Sequence, residues 1–220
     1  MSRLDDAVTR ILRVKERRGL FDENKEQFHE ISDEERSFIN DFKTRCFERS
    51  ITWIRDRNAI FPKNLKENKK IAIFVICEYA PALEEAKALK LEFEKRGFEV
   101  EYKDDCTITA EALERCYKEN DIVLWALFSR PFRPIGFLDY TSIRASLIKK
   151  AFFMPDAVDK VAVVSFGSPY FGDQYFEKAQ TYVNAYSMLA SSAEAFVKAA
   201  CGETNFEGKS PVKLDLNDKI

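Results

Sequence analysis

Ile71-Ala72-Ile73-Phe74-Val75-Ile76 is an unbroken apolar run, the pattern of a strand buried on both faces of a sheet. Two more runs of the same kind follow, Ile122-Val123-Leu124-Trp125-Ala126-Leu127-Phe128 after Asp121, and Val161-Ala162-Val163-Val164-Ser165-Phe166. Helical patterns separate them. Leu83, Ala86, Leu89, Leu91 and Phe93 belong to a helix that Gly97 ends, and Thr109 opens a short helix over 110–118. A further helix is expected over 143–153, short strands over 100–102 and 181–186, and a last helix over 192–200. Parallel strands need crossover connections, so this alternation predicts an α/β fold, a flavodoxin-like three-layer sandwich with a mostly parallel sheet.

Before this pattern lies a highly charged stretch through Lys69, read as an N-terminal helical extension. Leu4, Val8, Ile11 and Leu12 recur at helical spacing, with Asp5 and Asp6 near the positive end of the helix and Gly19 placed to stop it. Residues 22–35 read as a polar linker with loose helical content. Phe38, Ile39, Phe42, Cys46 and Phe47 form a second apolar stripe, and 49–62 reads as an extended segment. The chain is thus expected to divide into 1–69, helical segment and linker, and 70–220, the α/β sandwich.

Composition narrows the class. Hydrophobic residues make up 45% of the 220 and charged residues 33%, a globular balance. Thirty-five basic residues against 37 acidic ones give a net charge of -2, which offers no electrostatic case for nucleic acid or an anionic membrane. No apolar run approaches the roughly 20 residues of a spanning helix, and the first residues lack the apolar core of a signal peptide. The five cysteines form no CxxC pair, so reduced thiols in a cytoplasmic protein are expected, with no metal site and no cofactor.

Most catalytic constellations are excluded by residue type. His29 is the one histidine and lies among charged neighbours, so a nucleophile–histidine pair has little to draw on. No glycine-rich phosphate loop follows the first strand, where Cys77-Glu78-Tyr79-Ala80-Pro81 stands instead. The carboxylate pairs Asp5-Asp6 and Asp104-Asp105 are adjacent in sequence and point apart, which suits a helix start and a turn better than glycoside cleavage. Two loops follow apolar strands at the end where such sheets carry their sites. One is Ser129-Arg130-Pro131-Phe132-Arg133-Pro134-Ile135-Gly136, the other Gly167-Ser168-Pro169-Tyr170-Phe171-Gly172. Arg130, Arg133 and Tyr170 are the candidate contacts there, for a sugar face or a protein partner; rigid structural turns with surface arginines are the equal alternative.

Several segments together resemble the family 3 glycoside hydrolases. Leu4-Asp5-Asp6-Ala7-Val8, Arg10-Ile11-Leu12, Lys15 and Gly19-Leu20-Phe21 are similar to the family's helix that closes its barrel, DDAVxRILxxKxxxGLF. Arg49 to Pro62 resembles its linker strand, and Val164-Ser165-Phe166-Gly167-Ser168-Pro169-Tyr170 its VSxGxPY strand and loop. Ala185-Tyr186-Ser187, the helix from Ala193 and Gly208-Lys209-Ser210-Pro211-Val212 continue the resemblance in order. The loop style looks closest to the β-N-acetylhexosaminidase branch. The resemblance implies an accessory C-terminal domain whose partner is a catalytic barrel outside this chain, and a retaining parent enzyme acting on a β-linked amino sugar. It carries over no catalytic residue, because the family's nucleophile belongs to the barrel and no glutamate here aligns with the glucosidase acid/base. Without that barrel, the Leu4, Val8 and Ile11 stripe is expected to be exposed, repacked or paired in a homodimer. A free-standing sugar or small-molecule binding module on the same scaffold is the alternative.

Overall fold

The computed structural model describes residues 2–22, 30–64, 69–77, 80–104, 109–128, 158–171, 176 and 179–214. They divide into two compact units, 1–40 and 41–220.

In the first unit, α1 (Arg3–Arg17) starts at a reciprocal capping box. The Asp5 amide donates to Ser2 Oγ at 3.2 Å, and the Asp5 carboxylate accepts from the Ser2 amide at 3.0 Å. Those hydrogen bonds hold the Asp5 carboxyl below its ordinary range. Asp6 pairs with Arg10 one turn on. Gly19, at φ 67°, ends the helix in the left-handed conformation as its position predicts. Leu4, Val8, Ile11 and Leu12 are all exposed. The second helix, α2 (Asp33–Ser50), begins inside the stretch expected to be a linker. A second capping box explains this: Ser32 and Glu35 exchange hydrogen bonds of 2.9 and 3.2 Å, which turns the polar sequence into a helix start.

The second unit is the α/β sandwich. Its elements run β1 (Thr52–Asp56), β2 (Lys70–Cys77), α3 (Ala80–Lys95), β3 (Glu99–Lys103), α4 (Ala110–Glu119), β4 (Ile122–Phe128), β5 (Val161–Ser165), β6 (Thr181–Asn184) and α5 (Ala190–Ala200). The strand order is β3-β2-β4-β5-β6-β1. All pairs are parallel except β6 with β1. From β3 to β6 this is the flavodoxin-like order. The segment read as simply extended thus contributes a strand to the sheet edge, and a kinked turn over Ile60–Asn64 follows it, with Phe61 extended at φ -111° and ψ 135°. The helix expected over 143–153 lies outside the described residues.

Every described residue of β4, β5 and β6 is buried, as the continuous apolar runs require. One face packs Ile73, Val75, Leu124, Val164 and Val183 against Ala86, Leu89 and Phe93 of α3 and Phe196 of α5. The other packs Phe74, Trp125, Val163 and Tyr182 against Leu113, Cys116 and Tyr117 of α4, with Phe171, Phe176 and Leu214. Phe74 and Trp125 stack at 4.8 Å between centroids, and the Trp125 indole N–H donates to the Tyr117 hydroxyl at 3.2 Å. Thr109 caps α4 through the Ala112 amide, as expected. Gly97, at φ 80°, ends the turn after α3.

Arg96, at that turn, joins α3 to the segment after α5. Its Nη1 donates to Glu92 Oε2 at 2.7 Å and its Nη2 to Glu203 Oε2 at 2.8 Å. The Arg96 hydrogen bonds hold the Glu203 carboxyl below its ordinary value of 4.5. A depressed folded-state value means that the contribution is full above pH 4.5 and is lost as pH falls through the folded value. Acid titration of unfolding should therefore show wild type losing stability below pH 4.5 more steeply than Arg96→Gln. Parallel curves for the two proteins would show that the pair is not coupled to folding. Solvent exposure keeps the difference under about 1 kcal/mol.

Candidate functional site

In a doubly wound sheet the chemistry gathers at the carboxyl ends of the strands, above all where the chain reverses its direction across the sheet. Here the reversal lies between β2 and β4, which end at Cys77 and Phe128. Arg130 and Arg133 belong to the segment that follows β4 and lie outside the described residues, as does His29. Tyr170 is described.

Tyr170 belongs to the turn after β5. Phe166 and Phe171 are buried on either side of it and anchor the turn. Phe166 stacks on Phe128 at 4.4 Å between centroids, which ties the turn to the end of β4. The Ser165 hydroxyl donates to the Ser168 carbonyl at 3.0 Å, closing the turn from inside. The Tyr170 amide donates to Ser168 Oγ at 3.4 Å, and the Tyr170 ring is 49% exposed. The local sequence thus builds a rigid turn that presents one aromatic ring to solvent.

At the ends of β2 and β3 a second group of ionisable side chains gathers. Burial pushes the Tyr102 hydroxyl up, and the charges of Asp104, Cys77 and Glu84 push it the same way. The Tyr102 oxygen is enclosed without a hydrogen-bond partner among the described residues. Lys87 holds Glu84 at 2.7 Å. Cys77 is buried, as are Cys116 and part of Cys201, whereas Cys46 is exposed, so burial accounts for most but not all of the described thiols. Burial, together with a hydrogen bond to Glu101, pushes the Cys116 thiol up to about 11, which keeps it protonated and unreactive. Among the described residues no cluster of three or more histidine, cysteine or acidic side chains is arranged to hold a metal ion.

A third feature escaped the reading of the sequence. Asn184 ends β6 and is 0% exposed, yet neither of its amide atoms has a partner among the described residues. Its register partners are Ser165 on β5 and Thr52 on β1, both buried. The signal was present as a polar residue within Thr181-Tyr182-Val183-Asn184-Ala185, but the sequence does not show which neighbours it meets.

Comparison with known proteins bears out the resemblance at the level of the fold. No family model matches the chain, and no curated protein matches it. Solved structures do. The chain is similar to "Beta-glucoside phosphorylase BglX" with a TM-score of 0.69 and 22% identity, over 97% of this chain and 38% of that one. It is similar to a glycoside hydrolase family 3 β-N-acetylglucosaminidase from Paenibacillus sp. str. FPU-7 with a TM-score of 0.65 and 19% identity, over 99% of this chain and 40% of that one. A β-glucosidase from Listeria innocua in complex with isofagomine gives a TM-score of 0.59 at 18% identity, over 91% of this chain and 31% of that one. The chain therefore spans well under half the length of the enzymes it resembles, and it has the fold of the part it matches. Among the described residues no helix is long and apolar enough to cross a membrane.

Proposed function

We propose that this chain is the C-terminal α/β domain of a family 3 glycoside hydrolase of the β-N-acetylglucosaminidase kind, accessory to a catalytic barrel and not catalytic alone. The asymmetry of coverage carries the reading: 97–99% of this chain is matched by enzymes of which it accounts for 38–40%. Residues 1–69 would then be the end of the barrel and the linker, and 70–220 the sandwich domain. The exposed face of α1, with Leu4 72% and Ile11 57% accessible, suits a surface that a barrel covers. Pairing of that face with a second copy, as a homodimer, is what the free chain would do in the barrel's absence.

Under this reading the loops carrying Arg130, Arg133 and Tyr170 are where the domain would touch a β-linked amino sugar. Catalysis would fall to barrel residues, with retention through a glycosyl-enzyme intermediate. A cytoplasmic setting fits cysteines spaced without a CxxC pair, with neither nucleic acid nor membrane as partner.

Chromogenic β-N-acetylglucosaminide and β-glucoside substrates test it. The purified chain should release no chromophore above a blank, and release should appear on addition of the barrel domain of a similar β-N-acetylglucosaminidase. Turnover by the chain alone, persisting through further purification, would overturn the accessory role.

A further inference from the structure

We propose that Thr52, Asn184 and Ser165 form an internal hydration site, holding ordered water between β1, β6 and β5. The register places the three residues in one row across adjacent strands, Thr52 opposite Asn184 and Asn184 opposite Ser165. Residues paired in this way project to the same face of a sheet, with neighbouring side chains about 5 Å apart. All three are buried: Thr52 at 2% exposure, Asn184 and Ser165 at 0%.

Both hydroxyl protons are already committed. Thr52 Oγ1 donates to the Ser50 carbonyl at 2.8 Å, and Ser165 Oγ donates to the Ser168 carbonyl at 3.0 Å. Neither hydroxyl therefore donates to the Asn184 carbonyl oxygen, and the Asn184 amide nitrogen reaches no acceptor among the described residues. What remains in the row is two amide donors, one amide acceptor and the unused lone pairs of two hydroxyls. Water accepts from the amide nitrogen and donates to a hydroxyl oxygen, which matches this set, and an interior water needs two to four such partners. A fully enclosed amide left unpaired is costly, so a guest of this size and polarity relieves it. The row also adjoins Tyr186, which adopts φ 59° two residues beyond Asn184.

A crystal structure at about 1.5 Å resolution and the variant Asn184→Leu together test the site. Density for a water within about 3.2 Å of the Asn184 amide nitrogen is expected. Density showing only protein atoms against that amide would overturn the proposal, whether or not the variant folds. Asn184→Leu removes the amide at similar volume, and its folding equilibrium constant should fall about tenfold, because the water keeps its other partners but loses this one. A variant as stable as wild type would mean that the amide had no partner to lose, and would overturn the site.

Discussion

Phe196→Ala is expected to lower the stability of the α/β unit by about 3–5 kcal/mol, the range for removing a buried phenylalanine ring. Phe196 is fully enclosed on α5 and stands edge-on to Phe61 at 5.6 Å and to Phe166 at 5.9 Å. Phe61 belongs to the turn after β1, while Phe166 follows β5 and stacks on Phe128 beyond it. One ring therefore closes the space between three segments far apart in sequence. Strands and their flanking turns move little, so the cavity left by alanine collapses poorly and the larger end of the range applies. Against a total of roughly 5–15 kcal/mol for a domain, such a loss takes much of the margin. Denaturant unfolding followed by tryptophan fluorescence measures it. Phe196→Leu should lose well under half as much; equal losses would show that ring packing is not what α5 contributes.

Gly208→Ala should cost about 2–3 kcal/mol, for a reason of space. A Cβ on Gly208 would lie 2.5 Å from the Ser50 carbonyl and 2.7 Å from that of Ile51, and would also strike Thr52 Oγ1. Two of these atoms are backbone, so relief requires the chain to move, and the Gly208 amide donates to that same Ile51 carbonyl at 3.0 Å. Gly97 is the counterpart. A Cβ there meets nothing within 4 Å, but φ is +80°, so Gly97→Ala pays only the conformational cost of about 1 kcal/mol. Hydrogen exchange separates the two causes. Gly208→Ala should raise exchange locally at its own amide and along β1, while Gly97→Ala should leave those amides protected. Protection unchanged in both variants would refute the close approach at Gly208.

The strands were legible because an apolar run needs no partner to be recognised. Residues 71–76, 122–128 and 161–166 state their burial on both faces in their own composition, and four parallel neighbours follow from the alternation with helices. Helix ends marked by Gly19, Gly97 and Thr109 were equally local, since one glycine or one hydroxyl suffices for each. The Ser32–Glu35 capping box was local too, yet its charged surroundings masked it as linker.

Of the expected site the described residues include Tyr170, whose place after β5 was legible in the sequence. Its chemistry was not, because cross-strand neighbours are set by register, and register joins residues with no trace in each other's sequence. Thr52 meets Asn184 across 132 positions by the antiparallel pairing of β1 with β6. The amino end of α5 shows the same thing: Leu189 stands at the cap position without a side-chain acceptor, and Glu85 of α3 accepts the Ala190 amide at 2.6 Å in its place. By itself the sequence determined the central strands β2, β4 and β5, their burial on both faces, and the helices α3 and α4, since those depend on residue pattern along the chain. Only the tertiary structure decided that 52–56 closes the sheet edge, that Phe196 joins three segments, and that Asn184 is enclosed in register with Thr52 and Ser165. Each of these depends on surfaces brought together from distant parts of the chain, where burial and hydrogen bonding are shared between partners and encoded in neither alone.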